Sequence, residues 1–413
     1  MIRQVLAIGA LALFAVACTT APRYGAGPAG DSRDIRVLLD QTRGDVTVRA
    51  TGPFTVQGPG GARVASGDGG VVTASLQGNT IQMRLDPPGS VAAVEDEVWL
   101  VPQDATEFEV GGVRYAGRVR MTAWGQSLMV VNVIALEHYL EGVVPHEIGD
   151  PGPDAYAAVQ AQAITARTYS MTRMAERERE PFDVYSGVRD QVYRGTQGGN
   201  RLAASAVRET RGLVLAVGGG LVRTYYSATC GGHTSDIRRV WPKREAAPYL
   251  FGRRDRGDRG DPFCSWTGKF RWRFSFSGHE LGDILRVTIP RELGVPADGV
   301  GYLVDLHIVE RSPSGRVRVL EIETTRGRYR VEGDRIRWVL MIDPAAGRIL
   351  PSTLFDIEKT GGGDGLAVVS IVGGGNGHGV GMCQNGAIGM ARRGYSYRMI
   401  LSHYYPGTEV SGR

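Results

Sequence analysis

Two adjacent segments in the middle of the chain constrain its fold most strongly. Residues 136–147 read LEHYLEGVVPHE, and residues 158–170 read AVQAQAITARTYS. The first segment predicts an amphipathic helix that ends at Pro145, because its apolar residues recur at helical spacing. The second predicts an alanine-rich helix whose small side chains let another helix approach closely. We therefore expect two packed helices with one carboxylate, that of Glu147, at their junction.

The position of Glu147 suggests chemistry as well as structure. A carboxyl group between packed helices loses solvation, which raises its pKa, and a raised pKa suits a general acid at neutral pH. Arg167, on the second helix, could pair with Glu147, Glu137 or Glu141. A pair with Glu147 would hold it ionised and oppose an acid role. The alternative is that Glu147 is an ordinary exposed loop residue.

The N-terminus predicts export. Arg3 precedes the apolar run Val5–Ala17, which is too short to span a bilayer comfortably. Small residues before Cys18 are typical of a lipoprotein processing site. We expect a signal peptide at residues 1–17, acylation of Cys18 and a lipid-anchored tether at residues 18–33. Ordinary cleavage without lipid is the alternative. The expected location is the bacterial cell envelope, on a membrane.

The pattern downstream predicts an α+β fold, with mixed sheet and helices around a substrate groove. Residues 34–101 are strand-like and form a small β region without a visible catalytic group. Within it Ile81, Met83 and Leu85 alternate with polar residues, as in a half-buried strand. Glycine pairs at Gly111-Gly112 and Gly218-Gly219 predict hairpins. Helices are expected over residues 384–393 and 397–406, and mixed structure over residues 265–360.

Composition narrows the partners only slightly. The net charge is +5 and the pI is near 9, which would suit an anionic polymer. The basic residues are dispersed among acids, however, as in RRDRGDRGD at residues 253–261. For an exported chain we expect no nucleic-acid partner.

The glycine loop Gly373–Gly381 is not a nucleotide site, since it has no Lys-Ser/Thr of a Walker motif and no dinucleotide-binding βαβ unit. We interpret it as a tight turn that passes close to a ligand, with His378 in a groove.

Three interpretations are open for Cys230, Cys264 and Cys383: a disulfide, buried thiols or a zinc site. An exported protein can keep a disulfide, and Cys230 with Cys264 is the favoured pair. Buried thiols are one alternative. A zinc ion on Cys230, His233 and Cys264, with His378 or Cys383, is another, although only one half-site has a recognised spacing. We expect no metal and no cofactor.

Six segments, taken together and in order, resemble the stage II sporulation protein D (SpoIID) family, including the LytB-type amidase enhancers. They span about residues 105–410 and read LEHYLEGVVPHE, AVQAQAITARTYS, DQVYRG, YYSATCGGHTSD, GNGHGVGMCQNGAIGMA and ILSHYYPGTEV. Cys230 and Cys383 stand where some relatives have serine or another small residue.

The resemblance implies a peptidoglycan lytic transglycosylase that cleaves the bond between MurNAc and GlcNAc in peptide-stripped glycan strands. Glu147 would be the catalytic residue, acting as acid and then as base to leave 1,6-anhydro-MurNAc ends. The residues implied to bind the substrate are Gln191, Tyr193, Ser227, Thr229, His233, His378 and Gln384. The alternative is a non-catalytic peptidoglycan-binding module that recruits or activates an N-acetylmuramoyl-L-alanine amidase. The expected partners are glycan strands and, under this alternative, an amidase.

Overall fold

The computed structural model describes residues 34–87, 89–257, 260–362 and 365–412. The signal peptide, the tether and the acylation site at Cys18 lie outside these residues. Within the described part of the chain, no helix is both long and apolar enough to cross a membrane.

The first third of the described chain is built from strands. They are β1 (Asp34–Thr42), β2 (Val46–Ala50), β3 (Phe54–Gln57), β4 (Arg63–Gly67), β5 (Gly70–Gln77), β6 (Thr80–Asp86), β7 (Ser90–Glu95), β8 (Glu97–Pro102), β9 (Phe108–Val110), β10 (Val113–Tyr115), β11 (Arg118–Trp124) and β12 (Ser127–Ala135). The alternation predicted at Ile81, Met83 and Leu85 is confirmed, since all three are buried along β6 while Arg84 is exposed.

The remaining elements mix helices and strands. The helices are α1 (Leu136–Glu141), α2 (Val144–Ile148), α3 (Tyr156–Glu176), α4 (Arg201–Glu209), α5 (Ile237–Val240), α6 (Gly278–Leu293), α7 (Ile336–Val339), α8 (Gln384–Ala391) and α9 (Tyr397–Tyr404). The strands are β13 (Val184–Tyr185), β14 (Leu213–Val217), β15 (Gly220–Leu221), β16 (Tyr226–Ser227), β17 (Trp272–Ser277), β18 (Leu303–Arg311), β19 (Val317–Thr324), β20 (Gly327–Glu332), β21 (Phe355–Gly362), β22 (Gly365–Gly373), β23 (Met382–Cys383) and β24 (Glu409–Gly412). The predicted α+β class is confirmed.

The two largest sheets belong to the main core. One has the strand order β13-β1-β12-β11-β8-β3-β4, and the other has the order β10-β9-β2-β5-β6-β7. Buried residues of both sheets and of the central helices belong to one hydrophobic core. Strands from both sides of residues 101–105 are hydrogen-bonded in the same sheet, because β8 pairs with β11. The structure therefore does not divide into separate units at the boundary expected from the sequence.

Helix α3 is the central helix of the main core. It contacts α1, α2, α4, α8 and α9. Its alanines Ala158, Ala161, Ala163 and Ala166 are fully buried. Small side chains on several faces explain how one helix can have so many close neighbours. The helix extends beyond residues 158–170 at both ends, from Tyr156 to Glu176.

Residues 272–373 form an inserted unit with a hydrophobic core of its own. Two three-stranded sheets, β17-β22-β21 and β18-β19-β20, pack with α6 and α7 around this second core. The chain then returns to the main core through β23, which pairs in parallel with β16. Arg316 of the inserted unit is buried and donates a 2.9 Å hydrogen bond to the backbone carbonyl of Cys230. The unit is thus fixed to the loop that follows β16.

Candidate active site

Glu147 lies in a helix and not after one. We expected the first helix to end at Pro145, but it ends at Glu141, and Pro145 is in the first turn of α2. Proline is tolerated there because the first helical turn has no internal partner for its N–H. The short helix α2 packs on α3, and Glu147 remains partly exposed to solvent.

Burial dominates the electrostatics of Glu147. Loss of solvation raises the pKa of Glu147 above its ordinary value. Three donors oppose this shift by favouring the ionised form: the backbone N–H of Val192, which donates to Oε1 at 2.6 Å, and the side chains of Gln384 and Tyr226. The carboxyl group is therefore held in a fixed position without a neighbouring cation.

Arg167 pairs elsewhere, which resolves the question that the sequence left open. Its guanidinium forms a two-pronged ion pair with Glu137, with N–O distances of 2.7 and 2.8 Å. It also donates to the carbonyls of Val207 and Leu213. Arg167 consequently links α3 to α1 and to the start of β14. It does not pair with Glu147, so it does not favour the ionised form of that carboxyl group.

Tyr226 connects Glu147 to a buried amide network. The Tyr226 hydroxyl accepts a hydrogen bond from Gln191 at 3.0 Å, which leaves its own proton for the Glu147 carboxylate. Gln191 is fully buried and in turn accepts from Ser170 and Tyr139. Gln191 thus positions Tyr226 and is not exposed to a ligand, in contrast to its expected binding role.

His378 forms part of an aromatic wall. Its ring packs against Trp241 at an interplanar angle of 48°, with 4.8 Å between the ring centroids, and lies near Tyr225. Burial lowers the pKa of His378 to about 3, and the cations of Arg337 and Arg316 add to the effect, so the ring is neutral at neutral pH. Its Nδ1 accepts the backbone N–H of Val380. His378 is among the residues that line a cavity.

The glycine loop packs closely against the neighbouring protein backbone and side chains. At Gly377, where φ is +102°, an added Cβ would lie 2.7 Å from Cβ of Ser227. At Gly381 it would lie 2.0 Å from the carbonyl oxygen of Tyr225. The glycines therefore let the loop pack directly against β16, which carries Tyr226.

The other residues expected in the site have different surroundings. Gln384 contacts Glu147 and donates to Gln162. Ser227 and Thr229 are buried and accept hydrogen bonds from Gly379 and Asn385, respectively. Tyr193 is only 1% exposed, and its hydroxyl is occupied by Asn132, so its role is in the core.

His233 is separate from the acid in its hydrogen bonding. Its Nδ1 contacts the carbonyl of Thr234, and its backbone bridges to Arg254. It does not belong to the group of cysteines described below, so the Cys-x-x-His half-site is not assembled among the described residues.

A cavity of about 890 Å³ lies between the main core and the inserted unit. Glu147 does not itself line this cavity, but its neighbour Tyr226 does. Cations outnumber acids around the cavity. They come from α3, from the loops near β13 and α5, and from the inserted unit: Arg173, Arg189, Arg223, Lys243, Arg244, Arg330 and Arg335.

The acids on the α3 side of the cavity are neutralised by arginines. Asp190 is almost fully buried and pairs with Arg173 and Arg177. Glu176 pairs with Arg173 and Arg223. Glu147 differs from both of these acids, because it is held by neutral donors.

Sequence reasoning missed Tyr226, Trp241 and the cations of the inserted unit. Tyr226 belongs to the segment YYSATCGGHTSD, from which only Ser227, Thr229 and His233 were selected. The two adjacent tyrosines, Tyr225 and Tyr226, were the sequence signal that could have indicated this residue. No sequence signal indicated the cations of the inserted unit, because their distance from the cavity depends on how the two cores pack.

The disulfide expected between Cys230 and Cys264 is not formed in the structure. Their sulfur atoms are 3.7 Å apart, whereas a disulfide bond is about 2.05 Å long. Cys230, Cys264 and Cys383 are all buried free cysteines.

These features describe an α+β protein in which one carboxylate, on a short helix packed against α3, is held by Val192, Tyr226 and Gln384. The family model described as stage II sporulation protein (SpoIID) matches residues 125–216, which include Glu147 and Arg167, and it supports membership of the stage II sporulation protein D family. A second match, to a domain of unknown function, covers residues 264–381, which include the inserted unit.

Individual relatives agree with this assignment. Stage II sporulation protein D of Bacillus subtilis is 28% identical over 68% of this chain and 76% of its own length. The amidase enhancer of Bacillus subtilis is 27% identical over 66% of this chain but only 40% of its own length. An uncharacterized protein of Brachyspira hyodysenteriae is 29% identical over 91% of this chain and 92% of its own length.

Proposed function

We propose that this chain is an envelope-located lytic transglycosylase that cleaves peptidoglycan glycan strands, with Glu147 as its acid and base. The observation that carries the proposal is the environment of Glu147: a partly exposed carboxyl with a raised pKa, held by Val192, Tyr226 and Gln384 beside a cavity. The names of the sporulation and amidase-enhancer relatives support an envelope location.

The chemistry requires only one carboxylate. Protonated Glu147 donates its proton to the glycosidic oxygen between MurNAc and GlcNAc as that bond breaks. The resulting carboxylate then takes the proton of the muramyl C6 hydroxyl, whose oxygen bonds to C1. The products are a 1,6-anhydro-MurNAc end and a free GlcNAc end, and Glu147 recovers its proton. Glycosidases that use water need a second carboxylate as base or nucleophile. Here Asp190 and Glu176 are engaged by arginines instead.

The charge around the cavity supports a peptide-stripped substrate. Removal of the peptide leaves a lactyl carboxylate on each muramic acid, so a stripped strand is a regular polyanion. The cations that line the cavity would attract it, including Arg330 and Arg335 of the inserted unit. The neutral His378 and Trp241 offer aromatic surface for contact with sugar rings.

The test is a digestion of peptide-stripped glycan strands by the purified chain, followed by mass spectrometry of the ends. The proposal predicts 1,6-anhydro ends that increase with time. A parallel reaction contains intact peptidoglycan and an N-acetylmuramoyl-L-alanine amidase. Strand binding without any new ends, together with faster amidase turnover, would instead establish the amidase-activating function that the name of one relative suggests.

The pH profile supplies a prediction about Tyr226. The activity of wild type should fall as the pH rises through the pKa of Glu147, because the acid must be protonated. Tyr226 favours the ionised form of Glu147, so Tyr226→Phe should raise this pKa further. We expect the alkaline limb of kcat/KM to move to higher pH in Tyr226→Phe.

Tyr225→Phe is the matched control, since Tyr225 lines the same cavity and does not contact Glu147. Its alkaline limb should coincide with that of wild type. A shift to lower pH in Tyr226→Phe would contradict the assigned role of its hydroxyl.

A further inference from the structure

Three cysteines and one aspartate, from three separate segments, meet in the interior beside the proposed active site. Cys230 follows β16, Asp255 and Cys264 belong to the long loop after α5, and Cys383 ends β23. One ligand atom from each residue lies within 4.8 Å of those of the other three. All four residues are fully buried, at 0% exposure. The cluster is separate from the hydrogen-bond network of Glu147.

The sulfur spacing fits a metal centre better than a disulfide. In a tetrahedral zinc site with Zn–S bonds of about 2.3 Å, neighbouring sulfur atoms lie about 3.8 Å apart. The distance between Cys230 and Cys264 is 3.7 Å. A third cysteine, Cys383, is part of the same group and would have no partner if the other two formed a disulfide.

Asp255 supplies the fourth ligand atom. Its Oδ1 accepts the hydroxyl of Tyr404, which fixes the carboxylate in the interior. Its Oδ2 is buried and has no hydrogen-bond partner among the described residues. An unpartnered buried carboxylate oxygen is costly, and coordination of a cation would remove that cost.

Backbone N–H groups point at the sulfur atoms of two of the three cysteines. The backbone N–H groups of Cys230 and Gly386 donate to Sγ of Cys383 at 3.1 and 3.3 Å, and that of Gly232 donates to Sγ of Cys230 at 3.4 Å. Such outer-shell donors orient and stabilise metal-bound thiolates. A zinc ion with three thiolates and one carboxylate has a net charge of −2, and the buried guanidinium of Arg316 donates to the carbonyl of Cys230 nearby.

We propose that Cys230, Asp255, Cys264 and Cys383 bind one structural zinc ion. Soft sulfur ligands in a tetrahedral arrangement select zinc over the hard cations Mg²⁺ and Ca²⁺. With four protein ligands and no exposure, the site is closed, as structural zinc sites are. The ion joins β16, which carries Tyr226, to the start of α8, which carries Gln384. The inference does not depend on the proposed enzymatic activity.

The first test is the metal content of the purified full chain, measured by inductively coupled plasma mass spectrometry. We expect one zinc per chain. Dialysis against a chelator should remove it and lower the melting temperature, and Zn²⁺ but not Mg²⁺ should restore the melting temperature. Less than about a tenth of an equivalent of zinc in a folded chain purified without chelator would overturn the proposal.

Variants then identify the ligands. Asp255→Asn keeps the size of the side chain and an oxygen for Tyr404, and it should weaken zinc binding by more than the roughly 10- to 100-fold typical of an outer-shell change. His233→Ala is the matched control. It changes the other candidate ligand of the Cys-x-x-His spacing and should retain one zinc. Loss of zinc in His233→Ala with retention in Asp255→Asn would overturn the ligand assignment.

A third measurement uses only wild type, so it tests for the disulfide even if a variant does not fold. Wild type is denatured with a chelator and an alkylating agent, without reductant, and its peptides are mapped. We expect Cys230, Cys264 and Cys383 each to be alkylated. A linked peptide that joins Cys230 to Cys264 would show the disulfide and contradict the metal site.

Discussion

Glu147→Gln should lower the rate of 1,6-anhydro end formation by about 100- to 10,000-fold, the range typical of a lost general acid. The amide keeps the size of the side chain and an oxygen for the backbone N–H of Val192, but it cannot transfer a proton. Binding of stripped glycan strands should be retained, because the cations and the aromatic wall are unchanged. The measurement is a time course of product ends, together with a strand-binding assay.

The direction of the change in stability of Glu147→Gln can also be predicted. The pKa of Glu147 is raised in the folded state, so wild type loses stability as the pH rises from the pKa of the unfolded chain through that of the folded chain. Glutamine has no charge to bury. The free energy of unfolding of Glu147→Gln at neutral pH should therefore equal or exceed that of wild type.

Glu141→Gln is the matched control, since Glu141 ends α1 only six residues earlier and is also partly exposed. We expect its turnover to stay within a factor of about two of wild type, as is usual for a surface substitution away from special features. Equal losses in the two variants would indicate a structural effect on the helix junction and would contradict a chemical role for Glu147.

Arg167→Leu should be the most destabilising single change near the site, at about 3 kcal/mol or more. Arg167 is 1% exposed and holds Glu137, Thr210 and two backbone carbonyls at once. Its removal leaves these groups without their shared donor in the interior. The measurement is urea unfolding followed by circular dichroism.

Glu137→Gln separates the charge of this pair from its hydrogen bonds. Glu137 is more exposed than Arg167, at 21% of its side-chain surface, and glutamine still offers an acceptor oxygen. We expect a loss of only about 1 kcal/mol. A loss as large as that of Arg167→Leu would show that the ion pair itself carries the stability, and not the carbonyl contacts of Arg167.

The helix junction was predictable because local pattern dictates it. Apolar spacing in residues 136–143 and the alanines of α3 indicated two packed helices, and both are present. The role of Pro145 could not be predicted, because proline can either end a helix or occupy the first turn of a new one. Which of these occurs depends on the residues that follow it. The partner of Arg167 was equally undecided, since Glu137 and Glu147 differ only in which face of the junction they occupy.

Tertiary contacts account for the remaining differences. The family resemblance implies that Tyr193 binds substrate. In the structure its ring packs at a tilt against Tyr139 in the core, with 4.8 Å between the ring centroids. The boundary expected near residues 101–105 is crossed by paired strands. Asp255 could not be grouped with the cysteines from the sequence, because it lies in a run of dispersed charges that is typical of a solvated loop.

The most direct test of the central claim is digestion of peptide-stripped strands in water enriched in oxygen-18. If Glu147 directs the C6 hydroxyl onto C1, no water enters the product, and the new muramyl ends should be 1,6-anhydro and carry no label. Reducing muramyl ends labelled with oxygen-18 would mean that water attacks C1, which would contradict a transglycosylase that works with one glutamate.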